Sequence, residues 1–172
     1  MPDSTCCPVV SKGQGMQKNV HVCTSKVDSK GVLYGDRLKR ARELIGQSPQ
    51  GVAALAGITL STYYDMEEHE GMLNRQTSLA ELSKLSSILR IPARSLFDDA
   101  DESCELISHE QLCAKIKAHL AATRMSVSEF EDRVGFVIEP SLLDTSEVLN
   151  WNVDCLRFVC AEIGVEWLSA LP

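Results

Sequence analysis

At 172 residues the chain can hold one large or two small domains, and 44% hydrophobic residues are enough for ordinary cores. Seventeen basic and twenty-four acidic side chains leave a net charge of −7, which argues against a protein that coats nucleic acid with a generally basic surface. Seven scattered cysteines exclude a tight disulfide framework, and the absence of a signal-like or membrane-length apolar run leaves a soluble, cytoplasmic protein as the expectation.

Residues 1–31 are rich in Ser, Lys and Gly, show no period and carry four Lys against two Asp. They read as a flexible tail. Cys6, Cys7, His21 and Cys23 fit no common zinc spacing, so neither a metal nor any other cofactor is expected.

A first helix is expected from about residue 34 to 45, with Tyr34, Leu38, Ala41 and Ile45 on one inward stripe. Arg37, Lys39, Arg40 and Arg42 then fall away from the core. Ser48 reads as an N-cap and Pro49 as the first residue of a second helix. Val52, Leu55 and Ala56 share a face of that helix by their spacing. Gly57 ends it. Thr59 caps a third helix whose Tyr63 and Met66 point inward. Leu60, Ser61, Thr62, Tyr64 and Asp65 are left outward. GMLNRQT, 71–77, reads as a loop. Ser78 with Glu81 forms a capping box for a fourth helix, with Leu82, Leu85 and Leu89 in the core. Pro92 opens a short fifth helix that brings in Leu96 and Phe97.

Helix, glycine turn and helix over 48–67, with Ala53, Gly57 and Ile58 in this spacing, resemble the phage-repressor and Cro type of helix-turn-helix, also called the xenobiotic-response-element family. The resemblance covers 34–97 and implies an all-α, lambda-repressor-like five-helix bundle. It implies phosphate contacts from Arg37 and Arg40, from the helix start at Ser48 and Gln50, and from Asn74, Arg75 and Gln76. It places Thr59, Leu60, Ser61, Thr62 and Tyr64 at the major groove, where hydroxyls meet base edges and Leu60 meets a thymine methyl. The family usually has Gln where Pro49 stands. From Ile58 to Gly71 there are four acids and no Lys or Arg. An acid at Asp65 is repelled by phosphate unless it accepts from a cytosine amino group.

The stretch 99–107 reads as an acidic linker. Beyond it the pattern returns: Ser126 and Gly135 repeat the spacing of Ser48 and Gly57, Ile116 answers Leu38, and Phe130 answers Val52. Ser108 with Gln111 and Ser126 with Glu129 form further capping boxes. EIGVEWLSALP answers ILRIPARSLF with a gap of about four residues, so 108–172 reads as a degenerate second copy with a period near 78. Its third helix, expected over 137–148, has three acids, no base and Pro140, and is a poor DNA reader. Phe136, Ile138, Leu142, Leu143, Trp151, Phe158 and Trp167 belong mostly to a core, the remainder to a patch for a partner. Cys155 and Cys160 read as buried small hydrophobes.

No catalytic constellation appears, and His21, His69, His109 and His119 lie apart, so the chain is not expected to be an enzyme. The organisation expected is a tail (1–31), a DNA-binding domain (32–98), an acidic linker (99–107) and an assembly domain (108–172). The function expected is a sequence-specific DNA-binding transcriptional regulator, a repressor acting as a homodimer on double-stranded DNA. A protein partner for the acidic half is the further expectation, and no membrane is involved. The rival is a protein-interaction module, antirepressor-like or antitoxin-like, that keeps the fold without DNA.

Overall fold

The computed structural model describes residues 34–69, 71–97 and 105–172. The expectations for the tail, for Glu70 and for most of the acidic linker lie outside the described residues. The fold is all-α; among the described residues the one β feature is an isolated bridge between Ser78 and Asn152. The first half comprises α1 (Tyr34–Leu44), α2 (Pro49–Ala56), α3 (Leu60–Glu68), α4 (Met72–Gln76), α5 (Leu79–Leu89) and a 3-10 turn, Ala93–Leu96. The second comprises α6 (His109–Thr123), α7 (Val127–Val134), α8 (Glu139–Leu143), a 3-10 turn Thr145–Asn150, α9 (Val153–Ile163) and a 3-10 turn Trp167–Ala170.

Local chemistry sets the helix ends. Ser48 Oγ accepts from the Gly51 amide at 3.1 Å, and Pro49 opens α2. Gly57 takes φ +77°, where a side chain would be strained, and its amide closes on Ala53 O at 2.9 Å. Thr59 caps α3, and Ser78 with Glu81 caps α5 reciprocally.

Four details differ from the sequence expectation. Leu55 is 56% exposed and Ala53 is buried in its place. The buried arc of α2 runs through Val52, Ala56 and Ala53, and Leu55 lies about 60° beyond its edge. Arg42 is not on the outer face of α1 but buried, since it lies between Leu38 and Gly35 on the arc that meets α3. The 71–77 segment is not all loop: it forms α4, started by Gly71 at φ +80° and held by buried Leu73 and Asn74. The fifth helix is a 3-10 turn.

Arg42 meets Glu67 of α3 in a bidentate pair, Nε to Oε1 at 2.7 Å and Nη2 to Oε2 at 3.1 Å. Its Nη1 also donates to Gln47 O at 3.0 Å, tying in the α1–α2 loop. α1 and α3 cross closely here, because a Cβ on Gly35 would fall on the Glu67 carbonyl oxygen and within 2.8 Å of Met66 O.

Several elements of the second half match those of the first in length and in their caps. α7 matches α2 in length, with a Ser cap and a left-handed glycine, Gly135 at φ +76°. α9 matches α5 in length, and both end on a left-handed residue followed by a 3-10 turn. Ile116 and Phe130 are as buried as Leu38 and Val52. The exception is the expected third helix, 137–148, which is only the five residues of α8 and then the Thr145–Asn150 turn. Ser141 stands there in the place of Tyr63. Trp151 supplies the aromatic bulk, its Nε1 donating to Ser141 Oγ at 2.8 Å.

The halves pack reciprocally on one another. α4 lies on α9, and the turn 145–150, the counterpart of α4, lies on α5. The two equivalent caps, Ser78 and Asn152, form the isolated bridge, with Leu79 N donating to Trp151 O at 2.8 Å and Asn152 Nδ2 to Arg75 O at 3.2 Å. Phe97 stacks edge-on with both Tyr34 and Trp167, each at 5.3 Å. The buried side chains of both halves form one continuous cluster.

Removing one member of the Arg42–Glu67 pair strands a buried charge. Arg42→Met is expected to lower unfolding free energy by about 3–5 kcal/mol, and Arg42→Met with Glu67→Met to recover most of it, in chemical denaturation. Burial also pushes the Cys155 and Cys160 thiols from 9.0 up to about 12. Below pH 9 these thiols are neutral in both states. As pH rises from there toward 12 only the unfolded chain ionises them, so stability is expected to fall, and less steeply in Cys155→Ala/Cys160→Ala.

Candidate nucleic-acid interface

The α2–α3 pair carries most of the residues singled out for DNA. Tyr63 and Met66 are 0% and 1% exposed and fix α3 from beneath, so the intervening positions turn outward. Ser61 and Tyr64 are exposed, and Leu60 is half-buried. Thr59 is exposed but engaged: its Oγ1 accepts from the Thr62 amide at 3.1 Å and lies 2.7 Å from Thr62 Oγ1. Thr62 is half-buried, and its hydroxyl is held by the cap, leaving Ser61 the free hydroxyl of this turn.

Ser48 and Gln50 are exposed at the start of α2. With Pro49 lacking an N–H and the Gly51 amide bonded to Ser48, the Gln50 amide and side chain are what this end offers to an anion. On α1, Lys39 and Arg40 are exposed and Arg37 is half-buried. Arg42, placed among the outward bases by the sequence reading, is consumed by Glu67.

The acids of α3 divide in two. Glu67 is buried in the pair with Arg42 and faces the bundle. Asp65 and Glu68 remain toward solvent, Asp65 with its Oδ1 4.0 Å from His69 Nε2.

The α4 residues separate. Asn74 is 4% exposed and points inward, away from any phosphate. Gln76 is exposed. The Arg75 side chain is 76% exposed, but its Nε lies 3.8 Å from Asp154 Oδ2 of α9, and Asp154 also meets Arg157 at 3.6 Å. Asp154, which sequence reasoning missed, sets how much of the Arg75 charge is available. No local pattern announces it, because the contact joins residues 79 positions apart in sequence. The second half thus reaches the candidate surface at its α4 edge, while Ser61 and Tyr64 stay exposed.

Among the described residues no group of His, Cys, Asp and Glu could hold a metal ion, and no helix is long and apolar enough to cross a membrane.

No family model matches the chain, and no curated protein matches it significantly. A solved structure that does match is the crystal structure of the master regulator for biofilm formation SinR in complex with DNA. The two share 29% identity over 38% of this chain and all of that chain, with a TM-score of 0.34.

Ser61 is exposed, so Ser61→Glu is expected to leave the thermal midpoint within the change that about 0.5 kcal/mol produces. Gly35→Ala, which drives a methyl into the α3 backbone, is expected to lower it markedly in the same calorimetric comparison.

Proposed function

We propose that the protein is a sequence-specific DNA-binding transcriptional regulator, a repressor that acts as a dimer. Residues 32–98 read the duplex, and 108–172 are a degenerate second copy that serves assembly. The carrying observation is the exposed Ser61 and Tyr64 on a helix whose opposite face is locked by Tyr63, Met66 and the Arg42–Glu67 pair. A rigid helix with a polar, uncovered outer side suits major-groove readout. Ser61 meets a base edge, Tyr64 a sugar or phosphate, and Gln50, Arg37, Arg40 and Arg75 the backbone.

A second reading is a protein-interaction module of antirepressor or antitoxin type. It is favoured by Asp65 and Glu68 on α3 and by the diversion of Arg42 and Arg75 to acids. Local charge rather than net charge decides phosphate contact, and the exposed bases of α1 keep DNA ahead.

Titration of the full chain against genomic fragments, its own upstream region included, at two salt concentrations separates these readings. With three phosphate-contacting cations per chain, six in the dimer, affinity is expected to fall by about 1,000-fold between 50 and 200 mM salt. Ser61→Glu abolishes the selective complex, and Asp154→Asn, by releasing Arg75, tightens it by about two- to five-fold. If no fragment is retained at the lower salt, the interaction module replaces the regulator.

A further inference from the structure

The two halves serve as references for one another. In the first half the ends of α1, α2 and α5 enclose an open groove of about 570 Å³, walled by Leu44, Ile45, Leu55 and Ile88 with the polar Gln47 and Ser87, and with Arg90 its charged rim. Leu44 is 85% exposed and Leu55 56%. At the equivalent positions of the second half, Leu55 and Ile88 are replaced by Arg133 and Glu162. These meet in an exposed ion pair at 3.0 Å, so the same face is polar, beside a smaller open pocket of about 310 Å³ lined by Arg124, Met125, Glu129, Asp132 and Arg133.

The exchange runs the other way on the α2–α3 side. There the first half has Ile58, Thr59, Asp65 and Lys84, mostly polar. The second half has Phe136, Val137, Leu143 and Phe158. Val137 and Leu143 are 72% and 85% exposed, and Phe158, at 56%, packs on Phe136 at 6.1 Å. This apolar knob is flanked by Glu139 and Asp144, and no Lys or Arg occurs between 134 and 156.

We propose that two copies of this chain associate reciprocally, the groove of each receiving the Val137–Leu143 knob of the other. Five of the seven large hydrophobic side chains exposed among the described residues lie on these two surfaces. Their charges are complementary: Arg90 rims the groove, while the knob is flanked by the carboxylates Glu139 and Asp144. No acid lines the groove, and Glu43, beside Leu44 in sequence, lies 3.9 Å from Arg42. Among the described residues nothing covers the groove or the knob. A two-fold arrangement buries both pairs at once and closes at two copies. A single groove–knob contact would leave one of each open.

This deepens the proposed dimer by naming its surface, and it is tested with no DNA present, so its failure is distinct from failure of DNA binding. Sedimentation velocity of the full chain from low to high micromolar is expected to give a dimer. Leu55→Arg/Ile88→Glu transplants the ion pair with which the second half already folds. It is expected to keep the melting temperature and to raise the dimer dissociation constant by about 30-fold or more. Leu143→Glu is expected to do the same. Mixing the two variants brings one intact groove to one intact knob and restores a weaker heterodimer. A wild-type chain that stays monomeric throughout, a dimer that survives both variants, or assembly that grows beyond two copies overturns the proposal.

Discussion

The crossing of α1 and α3 is the constraint on which the candidate surface depends. Gly35 allows the two backbones to touch, and the Arg42–Glu67 pair then fixes their rotation through two parallel hydrogen bonds. A buried ion pair contributes little net stability against an apolar alternative, but its planar geometry tolerates few orientations. What it specifies is the direction in which Ser61 and Tyr64 point. It also removes one acid and one base from the surface together, so the balance of charge around α3 is not what a count along the helix implies.

The second half acts on this unit from one side. Its contacts with the first half centre on α4, α5 and Phe97, through the paired caps Ser78 and Asn152 and the aromatic run Tyr34, Phe97 and Trp167. Arg157 lies 5.5 Å from the Trp167 ring and ends that run with a cation. Tyr34 stands at the start of α1 and joins this aromatic run, so packing of the second half bears on the same helix whose Arg42 holds α3. Stability of the two halves is therefore coupled, although Ser61 and Tyr64 are left uncovered.

Much of this was legible in the sequence because it is local. An N-cap needs a hydroxyl three residues before the amide it accepts from, and a left-handed stop needs glycine, so Ser48, Gly57, Ser126 and Gly135 announce themselves. Periodicity identified Leu38, Tyr63 and Met66. It could not say which neighbouring arc each helix also buries, and so it put Leu55 inside and Arg42 outside. An arginine enters a core only when a carboxylate waits for it, and that carboxylate lay 25 positions away in sequence. The same limit hid the hold of Thr59 on the Thr62 hydroxyl less than it hid Asp154 beside Arg75. The first is a cap three residues long, whereas the second exists only because two halves pack together.

Comparison of the halves carries the reading furthest. Both keep the caps, the glycine stops and the buried apolar positions, which a bundle needs to fold. They differ in the core where Ser141 and Trp151 stand for Tyr63, and on the surface. The first half keeps a nine-residue α3 with a polar outer side; the second shortens it to five residues and surrounds it with Leu143, Phe158 and carboxylates. An acidic, apolar face cannot approach phosphates without desolvation and repulsion, while the groove rimmed by Arg90 sets Leu44, Leu55 and Ile88 beside the polar Gln47 and Ser87. Divergence of that kind fits the division of labour we propose, with duplex recognition by α3 and protein contact by the surfaces on which the halves are unlike.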